Sequence, residues 1–151
     1  IKKKTMSEPI IQLAELKLTS EAKSYLKETA KWAFFLSIVG FVGIAFLVIF
    51  ALFATTIFGG IPQTAEIPFD LGKFIAILYL ILAAIYLFPV YYLMQFANKM
   101  KAALSLKEDE ILTASFEMLK SHYKFLGVFT IIILSLYALL LVVGMFGLLA
   151  S

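Results

Sequence analysis

The chain has 151 residues, of which 62% are hydrophobic and 15% are charged, and its mean hydropathy is +0.98. Charged residues make up about a quarter of a soluble domain, so this composition excludes an ordinary soluble fold and indicates one membrane domain over residues 1–151. The chain has no cysteine and one histidine. Disulfides and thiolate metal sites are therefore excluded, and we expect no metal and no cofactor.

Three long stretches contain no charged residue. They run from Ala33 to Ala65, from Phe74 to Asn98 and from Phe125 to Ser151. Each exceeds the roughly 20 apolar residues that a helix needs to cross a hydrocarbon layer of about 30 Å. We therefore predict an all-α integral membrane fold with three transmembrane helices, over about residues 32–58, 74–96 and 125–149.

An amphipathic helix is expected before the first span, over about residues 20–31, after an N-terminal segment of residues 1–19. Ser20 is a residue type that caps helices, and Leu26 and Ala30 follow at helical spacing. Lysines recur every fourth residue on another face, where they could contact anionic lipid head groups. These lysines are Lys23, Lys27 and Lys31.

Small residues in the first and third spans are candidates for close helix packing, because small side chains let two backbones approach each other within a membrane. Glycine is also common in membrane helices without such a role. The candidates are Ser37, Gly40, Gly43, Gly144 and Gly147.

The second span follows a loop at residues 59–72, which has the glycine and proline content of a compact turn. Within the span, Pro89 predicts a helix kink because it removes one backbone donor. A group of polar aromatic and amide side chains flanks it and is a candidate site for an amphiphile such as a quinone or a lipid head group. An interfacial aromatic belt is the alternative. The group comprises Tyr86, Tyr91, Tyr92 and Gln95.

The connection at residues 98–124 predicts a second amphipathic helix, over about 106–124, that runs unbroken into the third span. Ser105 and Glu108 have the spacing of a capping box. We expect Lys120 and Lys124 to contact lipid head groups. His122 is either a pH-sensing or ligand residue or an ordinary interfacial histidine. The expected apolar stripe is Leu112, Phe116, Leu119 and Tyr123.

The lysine distribution predicts orientation. Twelve of the 13 lysines precede the first span or lie between the second and third spans, and only Lys73 lies between the first and second. The positive-inside rule therefore predicts a cytoplasmic N-terminus and a cytoplasmic connection at 98–124, with the loop at 59–72 and the C-terminus outside.

Two segments of the chain are alike at an offset of 93 residues. Leu26-Lys27 and Lys31-Trp32 correspond to Leu119-Lys120 and Lys124-Phe125. This pattern is either an internal repeat of amphipathic helix plus span, or a coincidence of residue types that are common beside membranes.

The runs from Leu26 to Phe41 and from Ser115 to Gly127 resemble a family of small, uncharacterised inner-membrane proteins that is common in Bacteroidota. The resemblance covers roughly residues 18–150. It implies a location in a bacterial inner membrane and the same three-span topology. It implies no activity, so no functional residue carries over.

No carboxylate, lysine or histidine lies within the three spans, and the sequence shows no convergent set of acid, base, nucleophile or metal ligand. We therefore expect a non-catalytic protein that binds no nucleic acid. The first hypothesis is an accessory or scaffolding subunit of a larger inner-membrane complex. The alternatives are a homo-oligomeric pore or carrier for an uncharged or amphiphilic solute, and a membrane-surface sensor of anionic lipid.

Overall fold

A computed structural model describes residues 17–64 and 67–149, and most of the predicted N-terminal segment, residues 1–16, lies outside this description. The described residues form three α-helices and no strand: α1 at Ser20–Phe58, α2 at Leu71–Leu106 and α3 at Asp109–Leu149. Each helix is long and apolar enough to cross a membrane. The prediction of an all-α fold with three helices that could span a membrane is confirmed.

The helices are longer than the predicted spans. They contain 39, 36 and 41 residues, which corresponds to lengths of about 54 to 62 Å at a rise of 1.5 Å per residue. The prediction of a separate helix at 20–31 is wrong, because α1 continues from Ser20 through Phe58 without a break. The second amphipathic segment is continuous with the third span, as predicted, but its helix begins at Asp109 rather than at residue 106.

The helix ends differ from the predicted ones. Thr19 caps α1: its Oγ1 accepts a hydrogen bond of 3.1 Å from the Ala22 N–H. The predicted capping box at Ser105 and Glu108 is wrong, because Ser105 lies in the last turn of α2. Lys107 ends that helix in the left-handed conformation, with φ of 58°.

The central helix α2 packs against α1 on one side and α3 on the other. α1 and α2 are antiparallel, with Gly40 close to Val90 near the middle and Thr55 close to Gly72 at the far end. Buried positions along α1 follow at steps of 3, 4, 14 and 3 residues, which fit the 3.5-residue spacing of a left-handed helix pair. The fully or nearly buried residues of this face are Ala30, Ala33, Ser37, Ala51 and Ala54.

All three helices meet at one end of the bundle, where α1 begins, α2 ends and α3 begins. We call this the basic end, because it also carries the lysines of residues 17–31 and 99–124. Its buried core is a cluster of three alanines, a phenylalanine and a methionine, against which partly buried leucines of all three helices pack, including Leu26, Leu104 and Leu119. The cluster consists of Ala30, Ala33, Phe96, Ala97 and Met100.

Apolar side chains from both segments that were predicted to be amphipathic, residues 20–31 and 106–124, therefore pack inside the protein. On α3 the buried face is centred on Ser115, which is fully buried and donates a 2.6 Å hydrogen bond to the Leu112 carbonyl. The predicted stripe is correct at Leu112 and Leu119, but Phe116 is 42% exposed and Tyr123 is 65% exposed. The stripe is rotated because the helix presents its small serine, rather than its aromatic rings, to α2.

Away from the basic end, α3 leaves the bundle. Its last ring contact with α2 joins Phe129 to Tyr86, whose centroids are 6.3 Å apart. Every residue from Leu134 to Gly147 is exposed. α1 and α2 stay paired up to the contact of Gly72 with Thr55. The exposed segment from Leu134 to Gly147, which we call the outer half of α3, is therefore the part of the described chain that packs against no other helix.

Candidate functional site: the basic end and the α2–α3 contact

The lysines predicted to contact lipid head groups are all exposed, but they occupy three different surfaces. Lys23 lines a groove with Glu108 and Asp109 at the start of α3. Lys27 and Lys31 line an open groove on α1. That groove also includes Ser24, Glu28, Trp32 and Phe35.

Lys120 and Lys124 lie on α3 and are exposed on the side away from buried Ser115. Within residues 17–64 and 67–149, the one ion pair shorter than 4.0 Å joins the Lys73 ammonium to the Asp70 carboxylate at 3.3 Å. Neither Lys120 nor Lys124 therefore has a carboxylate within that distance among the described residues, and both charges are available to an external anion.

Asp70 caps α2 at the end opposite the basic end. Its Oδ1 accepts a 3.0 Å hydrogen bond from the Lys73 N–H. This backbone hydrogen bond, with a smaller contribution from the Lys73 ammonium, lowers the pKa of the Asp70 carboxyl below its ordinary value of 3.8, although desolvation opposes the shift. The pair fixes the first turn of α2 beside the loop.

The structure brings together part of the predicted amphiphile site. Gln95 donates a 3.1 Å hydrogen bond from Nε2 to the Tyr91 hydroxyl, and the Tyr91 and Tyr92 ring centroids are 6.1 Å apart. Tyr86 is on another face of α2, where it lines a groove between α1 and α2. The four candidates therefore do not form one site.

The groove beside Tyr86 has a volume of about 510 Å3. Its other lining residues are aliphatic or glycine, so the Tyr86 hydroxyl is the single polar side-chain group there. An acyl chain or a helix side chain would suit such a surface. The other lining residues are Gly40, Gly43, Ile44, Leu47, Leu82 and Val90.

The one histidine joins α3 to α2. His122 Nδ1 is 2.7 Å from the carbonyl oxygen of Pro89. A carbonyl only accepts hydrogen bonds, so Nδ1 carries the proton and donates it. Pro89 is buried within α2 and has no backbone N–H of its own. The sequence identified both residues, but it held no signal that they are partners.

The predicted small-residue contacts divide into two groups. Ser37 is fully buried and donates a 2.7 Å hydrogen bond to the Phe34 carbonyl, and a side chain at Gly40 would lie 2.6 Å from Val90 Cγ2. Both residues are packing positions. A Cβ atom at the other three glycines would meet nothing within 4 Å in this chain. These are Gly43, Gly144 and Gly147.

Two packing contacts between α1 and α2 were not predicted from the sequence. A Cβ atom on Gly72 would lie 3.0 Å from the Thr55 Cα and 3.1 Å from the Gly59 nitrogen, so glycine is needed where α2 begins against α1. The Lys101 ammonium lies 4.1 Å from the centre of the Phe34 ring, a cation–π contact between α2 and α1. The loop glycine at residue 72 was a signal for the first contact; residue types gave none for the second.

These features define the class of the molecule: a helical membrane protein with three candidate spans, whose polar side chains concentrate at one end. Within the described residues, no group of three His, Asp or Glu side chains could hold a metal ion. Comparison with protein-family models, curated proteins and solved structures finds no match for this chain. The family resemblance of residues 18–150 thus stays a prediction.

Proposed function

We propose that this protein is a non-catalytic accessory or scaffolding subunit of a larger bacterial inner-membrane complex. The observation that carries the proposal is the unequal packing of the helices. α1 and α2 pair along their length, whereas every residue of α3 from Leu134 to Gly147 is exposed. In this reading, the outer half of α3 is the surface that a partner membrane protein covers.

The orientation in this proposal places the basic end in the cytoplasm. It is supported by the excess of lysine at that end, because positively charged residues are retained on the cytoplasmic side during insertion. Since the chain has no cysteine, single cysteines at Ser105 and Gly60 can be labelled separately in intact cells. A membrane-impermeant maleimide should label the Gly60 variant and leave the Ser105 variant unlabelled; the opposite pattern would reverse the orientation.

The test of the partner surface compares two equally exposed leucines. Leu141 on α3 is 70% exposed and Leu52 on α1 is 68% exposed. Each is replaced by cysteine, coupled to a photo-crosslinker in native membranes, and irradiated. We expect a discrete adduct from position 141 and only lipid adducts from position 52. Equal adduct patterns from the two positions, or none from position 141, would contradict the proposal.

The mass of the adduct separates the proposal from its main alternative. A homo-oligomeric pore or carrier would use the same helix surface, because three helices that are not closed on one another enclose no path alone. An adduct of two copies of this chain would favour that alternative. An adduct with a different membrane protein would favour the accessory subunit.

A further inference from the structure

The three helices reach the membrane boundary at different levels. Three contacts fix how α3 lies along α2: the Pro89 carbonyl with His122, and two ring pairs. In the ring pairs, the Phe88 and Phe125 centroids are 6.1 Å apart and those of Tyr86 and Phe129 are 6.3 Å apart. Lys124 therefore lies at about the level of Pro89 on α2.

The charge-free run of α2 ends much nearer the basic end. Its first charged residue is Lys99, about eight to ten residues beyond the level of Lys124. At 1.5 Å per residue, Lys124 is displaced by about 12 to 15 Å along α2 toward the opposite membrane face. The charge-free run of α1 ends at the same level as that of α2, because the contact of Gly40 with Val90 brings Lys31 level with Lys99.

The turn between α2 and α3 causes this displacement. Only Lys107 and Glu108 join the two helices. About eight residues separate the turn from the charge-free run of α2, but about sixteen separate it from the charge-free run of α3. In a closed antiparallel hairpin these unequal lengths cannot bring both boundaries to one level.

Apolar surface surrounds the displaced lysines. Lys120 and Lys124 are exposed on the face of α3 away from α2, and Glu117, on the same face, is not within 4.0 Å of either ammonium. At this level α1 and α2 expose only apolar and aromatic side chains to the membrane. They are Ile38, Val39 and Val42 on α1 and Leu87, Phe88 and Tyr91 on α2.

No single level of a flat bilayer surface suits both the α1–α2 pair and α3. If its surface lay at Lys31 and Lys99, both α3 lysines would face hydrocarbon, where a charged side chain is costly. If its surface lay at Lys124, the exposed Trp32, Phe35 and Leu36 of α1 would lie in water. The helical step exceeds the reach of a lysine side chain, so snorkelling alone does not remove the conflict.

We infer that the leaflet at the basic end is thinned beside α3, and that Lys120 and Lys124 bind the phosphate groups of anionic phospholipids drawn down to their level. Charge complementarity carries this choice of occupant. The face has two ammonium groups against one carboxylate, neither lysine is paired within the described residues, and lipid phosphate is the anion nearest to a membrane boundary.

The level of the two boundaries can be measured on the full chain. Spin labels at Asn98→Cys and Tyr123→Cys report two exposed positions about 12 Å apart along the helix axis. In vesicles of phosphatidylcholine with phosphatidylglycerol, both labels should show the same depth from their access to oxygen and to a water-soluble nickel chelate. A label at 123 that is about 10 Å deeper, or a label at 98 in bulk water, would overturn the inference.

Head-group binding has its own test with matched variants. Lys120→Gln with Lys124→Gln should lower phosphatidylglycerol retention, measured by native mass spectrometry, by about fivefold per lysine. Lys27→Gln with Lys31→Gln makes the same charge change at the same spacing on α1 and should lower it less. Arginine at 120 and 124 should retain the lipid. Unchanged phosphatidylglycerol retention in the α3 variant, or equal losses of retention in the α1 and α3 variants, would overturn the assignment. If a variant fails to fold, the depth measurement on the spin-labelled chain still tests the inference.

Discussion

His122 and Pro89 form the hydrogen bond that ties α3 to α2, with Nδ1 and the carbonyl oxygen 2.7 Å apart. Its role in the structure is to fix the level of α3 along α2.

Removing this donor should loosen α3. We expect His122→Phe to lower the free energy of unfolding by about 1 kcal/mol, the net worth of one hydrogen bond. Unfolding in mixed detergent micelles, followed by circular dichroism, measures the change. Ser121→Ala is the control, because Ser121 bonds only to the Glu117 carbonyl of its own helix. Equal effects of the two variants would refute the role of the histidine.

Gly40→Ala should destabilise the α1–α2 pair. The new Cβ atom would lie 2.6 Å from Val90 Cγ2, and a valine in a helix has little rotamer freedom with which to move away. We expect a loss of about 1 to 3 kcal/mol in unfolding free energy, typical of overpacking. Val90→Ala in the same chain should recover part of the loss.

Gly43→Ala is the matched control for that substitution, because nothing lies within 4 Å of its Cβ position. It should be neutral or should stabilise the helix by up to about 1 kcal/mol through helix propensity. If both alanines had the same effect, the close approach at Gly40 would not be limiting.

Gly72→Ala should separate the outer ends of α1 and α2. The atoms that its Cβ would approach belong to the α1 backbone, so no side-chain rearrangement relieves the contact. We expect faster hydrogen exchange at the end of α1, together with a lower unfolding temperature. Gly60→Ala, in open space in the loop before α2, should change neither measurement. Unchanged exchange in Gly72→Ala would show that the two backbones separate without cost.

Asp70 should make the start of α2 sensitive to acid. Its pKa in the folded chain is lowered below 3.8, so the unfolded chain binds more protons as the pH falls toward and below that value. The stabilisation is present above the unfolded pKa and is lost as the pH falls through the folded pKa. The protection of the Lys73 amide, measured as its exchange rate relative to the intrinsic rate at the same pH, should therefore fall in that acidic range.

Two substitutions separate charge from capping at this position. Asp70→Asn keeps an oxygen acceptor for the Lys73 N–H and should remove the acid dependence, while Asp70→Ala should accelerate exchange at neutral pH as well. If the asparagine variant kept the same acid dependence, another group would be responsible.

The helices were predictable because charge-free runs of this length have few alternatives in a membrane. The residues on the buried face of each helix were less predictable. Residue type predicted Phe116 and Tyr123 on the buried face of α3, but burial is decided by the neighbouring helix, and α2 packs against Ser115 instead. Likewise Gly40 and Gly43 are equivalent as residues, and only the position of Val90 distinguishes them.

The capping box failed for a related reason. Ser105 and Glu108 have the right spacing, but the helix end is determined by Lys107, whose left-handed conformation closes α2 two residues later. A non-glycine residue in that conformation carries little signal in a single sequence. The contact of His122 with Pro89 joins residues 33 positions apart, and no local pattern records it.

Because only two residues connect α2 to α3, the length of α2 determines the height of α3 along the bundle. Inserting seven residues between Lys101 and Leu106 would turn the helix by nearly two full rotations, so the side-chain faces would be almost preserved. The same insertion would slide α3 by about 10 Å and bring Lys124 close to the height of Lys99, at the expense of the His122 contact. Homologues that differ by such an insertion should therefore sit in unperturbed lipid.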